Sequence, residues 1–173
     1  MKTARLDLIP FAASHARALS DSPEAFERAF GVPLATGLRE FFVSDDVSPE
    51  YRARLDADTN TEPDPWTHGF ALVHRADRIV VGMAGFKGPP GDEGVVEIAY
   101  GVAPAYQGQG LATEAARALV GFAFDAAGIH VVRAHTLPTS NASTRVLTRC
   151  GFRFVGDVVD PEDGPVWRWE KQR

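Results

Sequence analysis

The sequence predicts an α/β fold with a mixed, mostly antiparallel sheet of about six or seven strands, a central parallel β-α-β unit and flanking helices. Three observations indicate this class. Strand-like segments dominate from Thr67 to the C-terminus. An apolar segment with helical spacing follows residue 110 and separates two of these strands. Neither a fixed-period repeat nor a heptad pattern is present, which excludes solenoids and coiled coils.

The first 66 residues predict one short strand and several broken helices. The strand covers residues 3–9, and Pro, Gly, Ser and Asp residues separate the helical pieces that follow it. These pieces are predicted at residues 12–19, 23–30, 37–42 and 49–58. Residues 40–64 contain eight acidic residues and two arginines, a local net charge of −6. Such a stretch is commonly a solvated surface loop, and its functional alternative is an entrance that attracts cationic substrates.

The remaining residues predict the rest of the sheet in a definite order. Strands at 67–74 and 78–86 flank a turn at residues 75–77 and predict an antiparallel hairpin. A strand at 95–102, a helix at 111–126 and a strand at 131–137 form a β-α-β unit, so its strands should be parallel with a right-handed crossover. A helix at 143–150 and two strands, 152–159 and 166–170, joined by a turn at 161–164, complete the prediction.

Composition narrows the class of protein further. A chain of 173 residues suits one domain, residues 1–173. The single cysteine, Cys150, suits a reducing compartment, and Asp7 and Pro10 interrupt the apolar run that a signal peptide would need. We therefore expect a cytoplasmic protein that does not bind a membrane. The net charge of −5 and the absence of long Lys/Arg clusters argue against a nucleic-acid partner.

The most informative segment is the glycine-rich stretch between the strand at 95–102 and the helix at 111–126. Gly108 and Gly110 allow the backbone to approach a bulky anion, and Ala112 keeps the first helical turn clear, so amide N–H groups can point at phosphate oxygens. No Lys-Ser/Thr pair follows, which excludes a Walker loop, and Thr113 stands where the dinucleotide fingerprint needs its third glycine. A turn without function and a nucleotide-binding site remain alternatives.

The wider pattern resembles the GNAT superfamily of N-acetyltransferases, in particular the RimJ/RimL-like branch that acetylates the N-termini of ribosomal proteins. The residues that carry the resemblance are Gln107-x-x-Gly110-x-Ala112, with residues 97–100 upstream and residues 141–147 and 150–152 downstream. The resemblance covers nearly the whole chain, beginning at residues 3–6. It implies a single-domain GNAT-like fold in which residues 67–173 form the sheet and the acetyl-CoA-binding core, and residues 1–66 form the substrate side.

The resemblance also implies acetyl-CoA as co-substrate and assigns its contacts. The pantetheine arm would lie along Gly101 and Val102, between two parallel strands, with Asn141 near the pantetheine or thiol. The pyrophosphate would be held by the backbone of Gln107, Gly108, Gln109, Gly110, Leu111, Ala112 and Thr113.

The implied reaction is direct attack of an amine on a thioester through a tetrahedral intermediate. An amine is mostly protonated at neutral pH, so a carboxylate base is expected, and Glu97 is the candidate, acting directly or through water. Its alternative role is an ordinary surface carboxylate. The oxyanion could be stabilised by a backbone N–H near Gly101 and Val102. Ser143 and Tyr100 are the hydroxyls available to the departing thiolate. For Ser143 the pattern favours helix N-capping, with CoA binding as a second role, and for Tyr100 the alternative is sheet packing.

Metal ions and the acceptor complete the expectations. His130 and His135 are five residues apart on one predicted strand and should face opposite sides, without an acid or cysteine at ligand spacing, so no metal site is expected. The acceptor could be a protein N-terminus, a lysine or a small amine, and the acidic stretch favours a cationic one. A non-catalytic acyl-CoA-binding sensor or interaction module is the alternative function. The sequence is compatible with both a monomer and a homodimer.

Overall fold

The computed structural model describes residues 1–44, 47, 49–59, 62–161 and 163–173. Within these residues, one seven-stranded sheet is packed against six α-helices. The strands are Leu6–Pro10 (β1), Phe70–His74 (β2), Ile79–Phe86 (β3), Val95–Val102 (β4), Val131–Thr136 (β5), Arg153–Asp160 (β6) and Gly164–Gln172 (β7). The helices are Ala13–Asp21 (α1), Pro23–Phe30 (α2), Leu38–Val43 (α3), Pro49–Ala57 (α4), Leu111–Asp125 (α5) and Ala142–Arg149 (α6).

The strand order is β1-β2-β3-β4-β5-β7-β6, and only β4 and β5 among the described neighbours run parallel. Helix α5 connects these two strands and contacts β4, which makes the predicted β-α-β unit. The predicted fold class, a mostly antiparallel mixed sheet of six or seven strands around one parallel pair, is confirmed. In the described part of the chain, none of the helices combines the length and apolar character that crossing a membrane requires.

The parallel pair opens in its second half. Strand β4 pairs with β5 only from Val95 to Glu97, opposite Val131 to Arg133. Beyond Glu97, β4 continues to pair with β3 on its other side, and β5 continues to pair with β7. The two strands therefore diverge after Glu97, and a cleft opens in the middle of the sheet.

Helix α5 packs closely on the sheet because its buried face consists largely of small residues. Ala115, Ala116 and Ala123 are fully buried, as is Leu119 between them. Small side chains allow a helix backbone to lie near the sheet surface, while Phe122 on the same helix packs against the rings of other aromatic residues. This packing fixes the start of α5 relative to the end of β4.

Strand β2 begins at Phe70, three residues later than the sequence predicts. The carboxylate of Asp64 accepts hydrogen bonds from the Trp66 N–H (3.0 Å) and the Thr67 hydroxyl (2.6 Å), which holds these residues in a turn. Gly69 follows with φ +77°, and a Cβ there would lie 2.8 Å from the Ala84 carbonyl oxygen. An aspartate that bonds backbone amides ahead of it favours a turn over a strand, so residues 67–69 do not extend β2.

Candidate active site

A cavity of about 250 Å³ lies where β4 and β5 diverge. Four predicted site residues line it: Glu97, Tyr100, Gly101 and Ser143. The first three lie on β4 and the fourth on α6, so the structure brings together residues that the sequence separates by more than forty positions. Aromatic side chains from the first part of the chain, including Phe41, also line the cavity.

Gly101 is the point at which α3 contacts β4. A Cβ at this position would lie 2.3 Å from Cε1 of Phe41, so the Phe41 ring would have to move to make room for it. The absence of a side chain at Gly101 therefore lets the Phe41 ring lie directly against the strand. The Phe41 ring therefore lies beside the predicted path of the pantetheine arm.

The predicted anion-binding loop, residues 107–113, has the geometry that the glycine spacing indicates. Gly108 and Gly110 have φ of +74° and +83°, and Gly110 is the N-cap of α5. The Glu114 N–H donates to the Gly110 carbonyl at 3.1 Å and closes the first helical turn, so the amides of residues 111–113 precede that bond and lie at the helix start. A Cβ at Gly108 would meet no atom within 4 Å among the described residues. The 107–113 loop therefore offers backbone amides at a helix N-terminus, which suits a diphosphate.

Side chains brace the 107–113 loop from within. The Gln107 Nε2 group donates to the Val102 carbonyl at the end of β4 (2.9 Å). Gln109 Nε2 donates to the Ala105 carbonyl (3.1 Å). Because both side chains hold the loop, the contacts predicted between Gln107 or Gln109 and a cofactor would be made by their backbone amides.

Arg5 adds a cation beside the 107–113 loop, and sequence reasoning did not identify it. Its Nη1 donates to the Gln109 carbonyl (2.9 Å), and its Nε donates to the Glu114 carboxylate (2.9 Å). Thr3 donates its hydroxyl to the same carboxylate. Partial burial alone would raise the pKa of Glu114, but the hydrogen bonds from Thr3 and Arg5 and the Arg5 charge lower it below its usual value. Although the net charge of the protein is −5, the 107–113 loop has the guanidinium of Arg5 at its edge.

Glu97, the predicted base, lies in a cluster of charged side chains from β4, β5, β6, the residue that follows β3, and the turn between β6 and β7. Lys87 Nζ is 3.2 Å from Glu97 Oε1 and 2.7 Å from Asp163 Oδ2. His135 Nδ1 is 3.2 Å from Glu97 Oε1 and 3.5 Å from Asp160 Oδ2. Burial alone would lower the pKa of Lys87, but its hydrogen bond with Asp163 and the nearby carboxylates raise it above its usual value. Lys87 is therefore an ammonium ion that faces Glu97.

The environment of His135 determines its tautomer. Arg168 Nε donates to His135 Nε2 at 3.3 Å, so Nε2 accepts and the proton of the neutral ring lies on Nδ1, toward the carboxylates. The ring is only 6% exposed. The expectation that His130 and His135 share one strand is wrong, because β5 begins at Val131. His135 does lie beside acidic side chains, Glu97 from β4 and Asp160 from β6.

The ligand atoms of Glu97, His135 and Asp160 lie within 4.8 Å of one another, close enough to hold a metal ion. A cation at His135 Nδ1 would have to displace the proton that the Arg168 contact places there, and Lys87 already supplies a positive charge to Glu97. Among the described residues, His135 Nδ1 is buried and has no hydrogen-bond partner. The absence of a metal site remains a prediction.

Tyr100 and Ser143 meet on the helix side of the cleft. The Tyr100 hydroxyl donates to the Ser143 carbonyl at 3.4 Å. Burial and the neighbouring Cys150 raise the pKa of Tyr100 above its usual value, although the contact with Ser143 opposes this. The phenol therefore keeps its proton throughout the neutral pH range. Tyr100 also packs against the hydrophobic core, as its alternative role in sheet packing requires.

Helix α6 begins one residue earlier than predicted, and Asn141 is its N-cap. Asn141 Oδ1 accepts from the Thr144 N–H (3.0 Å), and Thr144 Oγ1 accepts from the Asn141 N–H (3.1 Å), a reciprocal capping box. The capping role favoured for Ser143 is therefore wrong. Asn is at least as good an N-cap as Ser, and Thr144 in the third helical position completes the pair only when the helix begins at Ala142.

The acidic stretch at 40–64 has structural as well as electrostatic functions. Asp58 Oδ2 lies 2.8 Å from Nε2 of the buried His68, and Asp64 forms the turn before β2. Asp45 and Asp46 lie outside the described residues, as does the Glu50 side chain. Two of the eight acids thus fix the chain beside the cleft, where the Tyr51 hydroxyl donates to the His68 carbonyl (3.1 Å) and burial raises the pKa of Tyr51 to about 12.

Comparisons with known proteins agree with this arrangement. The family model described as "Acetyltransferase (GNAT) domain" matches residues 5–153, which include the 107–113 loop, the cleft and α6. The probable N-acetyltransferase YjcK of Bacillus subtilis is 30% identical over 107 residues, 62% of this chain and 56% of the relative. The match thus spans little more than half the length of that curated relative.

Two solved structures have a similar fold. A putative GnaT-family acetyltransferase from Bordetella pertussis is 26% identical, with a TM-score of 0.62, 99% of this chain covered and 98% of that one. RimL, a ribosomal alpha-N-protein acetyltransferase in complex with coenzyme A, is 16% identical, with a TM-score of 0.66, 98% of this chain covered and 95% of that one. The second similarity is one of fold alone.

Proposed function

Because the chain belongs to the GNAT acetyltransferase family, we propose that it transfers an acetyl group from acetyl-CoA to a primary amine in the cleft between β4 and β5. One observation carries the proposal: Glu97 stands at the point where the two parallel strands diverge, on the strand that leads into the 107–113 loop. A carboxylate and an anion-binding loop on one strand suit a reaction in which a bound thioester meets an amine.

Acetyl-CoA fits the residues present. The amides of the 107–113 loop would hold the diphosphate, with Arg5 supplying a positive charge at its edge. The pantetheine arm would follow Gly101 and Val102 along the open edge of β4, where β5 no longer pairs. Asn141 would contact it through its carboxamide nitrogen, because its oxygen caps α6.

The chemistry requires proton removal from the acceptor. Glu97 accepts a proton from the incoming ammonium group, directly or through a water molecule, and the amine then attacks the thioester carbonyl carbon. A backbone N–H near Gly101 and Val102 stabilises the oxyanion of the tetrahedral intermediate. The departing thiolate, with a pKa of about 8.5 for an ordinary thiol, is a good leaving group, so protonation by Tyr100 or Ser143 assists but is not required.

Residues 1–66 form the acceptor side of this proposal. Phe41 and Tyr51 from this part of the chain line the cleft. A protein N-terminus, a lysine and a small amine all present the required amino group. The exposed Phe154, Val155 and Val159 on the edge strand β6 supply apolar surface for a homodimer, and the monomer remains the alternative.

One observation favours a second function, an acyl-CoA-binding sensor or interaction module without catalysis. Glu97 faces the Lys87 ammonium at 3.2 Å, and a carboxylate engaged in this way is less available to an acceptor. Such a module would keep the 107–113 loop but would not need the base.

Release of free thiol from acetyl-CoA distinguishes the two functions. The purified protein is incubated with acetyl-CoA and a panel of amines that includes peptides with free N-termini, lysine derivatives, polyamines and aminoglycosides. We expect amine-dependent thiol release that Glu97→Gln lowers by roughly 10²-fold or more, with the affinity for CoA unchanged. CoA binding without thiol release for every amine would replace the enzyme with the binding module.

A further inference from the structure

Lysine is rare in this chain, and one of its three lysines lies in the cleft. The sequence has fifteen arginines but only Lys2, Lys87 and Lys171. Lys171 is engaged elsewhere, since its Nζ donates to the Cys150 carbonyl at 2.6 Å. Lys87 lines the cleft at the end of β3, and its side chain is 26% exposed.

The position of Lys87 is the one that an acceptor amine would need. Its backbone N–H donates to the Glu97 carbonyl (2.9 Å), which fixes it beside the base, and its Nζ is 3.2 Å from Glu97 Oε1. Side chains alternate along a strand, so Glu97, Ala99 and Gly101 share one face of β4. Glu97 and Ala99 are two positions apart and so lie roughly 7 Å apart along β4. The Lys87 side chain can cover that distance by rotating toward the end at which β4 and β5 diverge.

We propose that Lys87 is a self-acetylation site of this protein, an inference that rests on the proposed function. The step uses acetyl-CoA alone. A proton passes from the Lys87 ammonium to the Glu97 carboxylate, and the nitrogen lone pair attacks the thioester carbonyl carbon. The C–N bond forms, the C–S bond breaks, and CoA leaves as a thiolate that takes up the second proton lost by the Lys87 nitrogen. The product is Nε-acetyl-Lys87.

Acetylation would change the charge of the cleft. Neutral acetyl-lysine cannot form ion pairs with Glu97 and Asp163, both of which the ammonium now contacts. Glu97 then loses its internal cation and becomes available to the ammonium group of an acceptor. The modified protein should therefore have a lower KM for cationic amines than a protein that keeps the Lys87 charge.

Mass spectrometry tests the site directly. The full chain is incubated with acetyl-CoA, and the intact mass and the peptides are followed over time. We expect a gain of about 42 Da per chain, located at Lys87. Acetylation of Lys87 should be roughly tenfold or more faster than that of Lys2 and Lys171, because the amine is held beside its base, and its rate per chain should not change on dilution of the protein.

Variants and a second acetyl donor separate catalysis from chemical acetylation. Lys87→Arg keeps the positive charge and should remove the fast phase of the mass gain, leaving only the slow acetylation of Lys2 and Lys171, whereas the matched Lys171→Arg should leave the fast phase unchanged. Glu97→Gln should slow acetylation of Lys87 but not of Lys2. Acetyl phosphate should show no preference for Lys87. Thermal unfolding with CoA establishes that each variant is folded and binds.

The outcomes are distinct. If the protein binds acetyl-CoA and acetylates an added amine, but Lys87 is modified no faster than Lys2, self-acetylation is wrong and the proposed function stands. Preferential labelling of Lys87 by acetyl phosphate, or labelling unaffected by Glu97→Gln, would show a merely reactive lysine and would also overturn the inference. If acetyl-CoA neither binds nor reacts with any amine, both the inference and the proposed function are wrong.

Discussion

The guanidinium of Arg5 and the carboxylate of Glu114, 109 positions apart in the chain, lie 2.9 Å apart at the edge of the 107–113 loop. The pair joins the segment before β1 to the first turn of α5, and Arg5 also donates to the Gln109 carbonyl. One residue therefore both orients the loop and places a positive charge beside it. A loop held in this way needs little rearrangement to receive a diphosphate.

Arg5→Ala should weaken CoA binding by roughly tenfold, about 1.4 kcal/mol, because a charge-assisted contact and a loop support are lost together. Isothermal titration calorimetry measures the dissociation constant. Arg28→Ala is the control, since Arg28 is an exposed residue on α2, away from the loop. Equal dissociation constants for Arg5→Ala and Arg28→Ala would remove Arg5 from the binding site.

The same pair should make stability depend on pH in the acidic range. The folded pKa of Glu114 lies below its usual value of 4.5, so its charge stabilises the fold fully above about pH 4.5. That stabilisation is lost as the pH falls through the lower, folded pKa. Urea unfolding of the wild type and Glu114→Gln should therefore give a difference in unfolding free energy that is constant near neutral pH and shrinks in acid. A difference that grows on acidification would contradict the assignment.

Gly101→Ala should destabilise the protein by about 1–3 kcal/mol, because its Cβ would overlap the Phe41 ring. Gly121→Ala is a matched control on α5, where a Cβ would meet no described atom within 4 Å, and it should stabilise the protein by about 0.5–1 kcal/mol. Both values come from chemical denaturation. If Gly101→Ala proved as stable as the wild type, α3 would not be packed against β4 as described.

Asn141→Ala should cost about 1 kcal/mol of unfolding free energy, since it removes the side chain that caps α6. Ser143→Ala, two residues into α6, should change stability by less than about 0.5 kcal/mol. Thermal unfolding of the two variants measures this directly. The reverse order of effects would restore Ser143 as the N-cap and contradict the capping box between Asn141 and Thr144.

Local sequence features were sufficient to predict most of the fold. The apolar spacing of α5 and the glycines of the 107–113 loop are properties of short segments, and both the β-α-β unit and the loop conformation follow from them. The start of β2 and the cap of α6 were misplaced because side chains compete for backbone amides: Asp64 forms a turn, and Asn141 precedes Ser143 as a cap.

The charged cluster around Glu97 could not be predicted from the sequence. Lys87 follows β3, whereas His135 and Asp160 lie on β5 and β6, and only the pairing of β4 with β3 and β5, and of β7 with β5 and β6, brings them together. A shift of one residue in any register would turn the corresponding side chain to the other face of the sheet. The Arg5–Glu114 pair was missed for a similar reason, because nothing in either segment indicates the other.

The central claim, that the 107–113 loop and the cleft hold acetyl-CoA, is tested most directly by thermal unfolding with acetyl-CoA, CoA and ATP. Ligand at about 100 times its dissociation constant adds roughly 2.7 kcal/mol to the unfolding free energy. We expect this stabilisation with acetyl-CoA and with CoA, smaller in Arg5→Ala, and little with ATP. No stabilisation at millimolar acetyl-CoA would contradict the account, and equal stabilisation by ATP would indicate a nucleotide site instead.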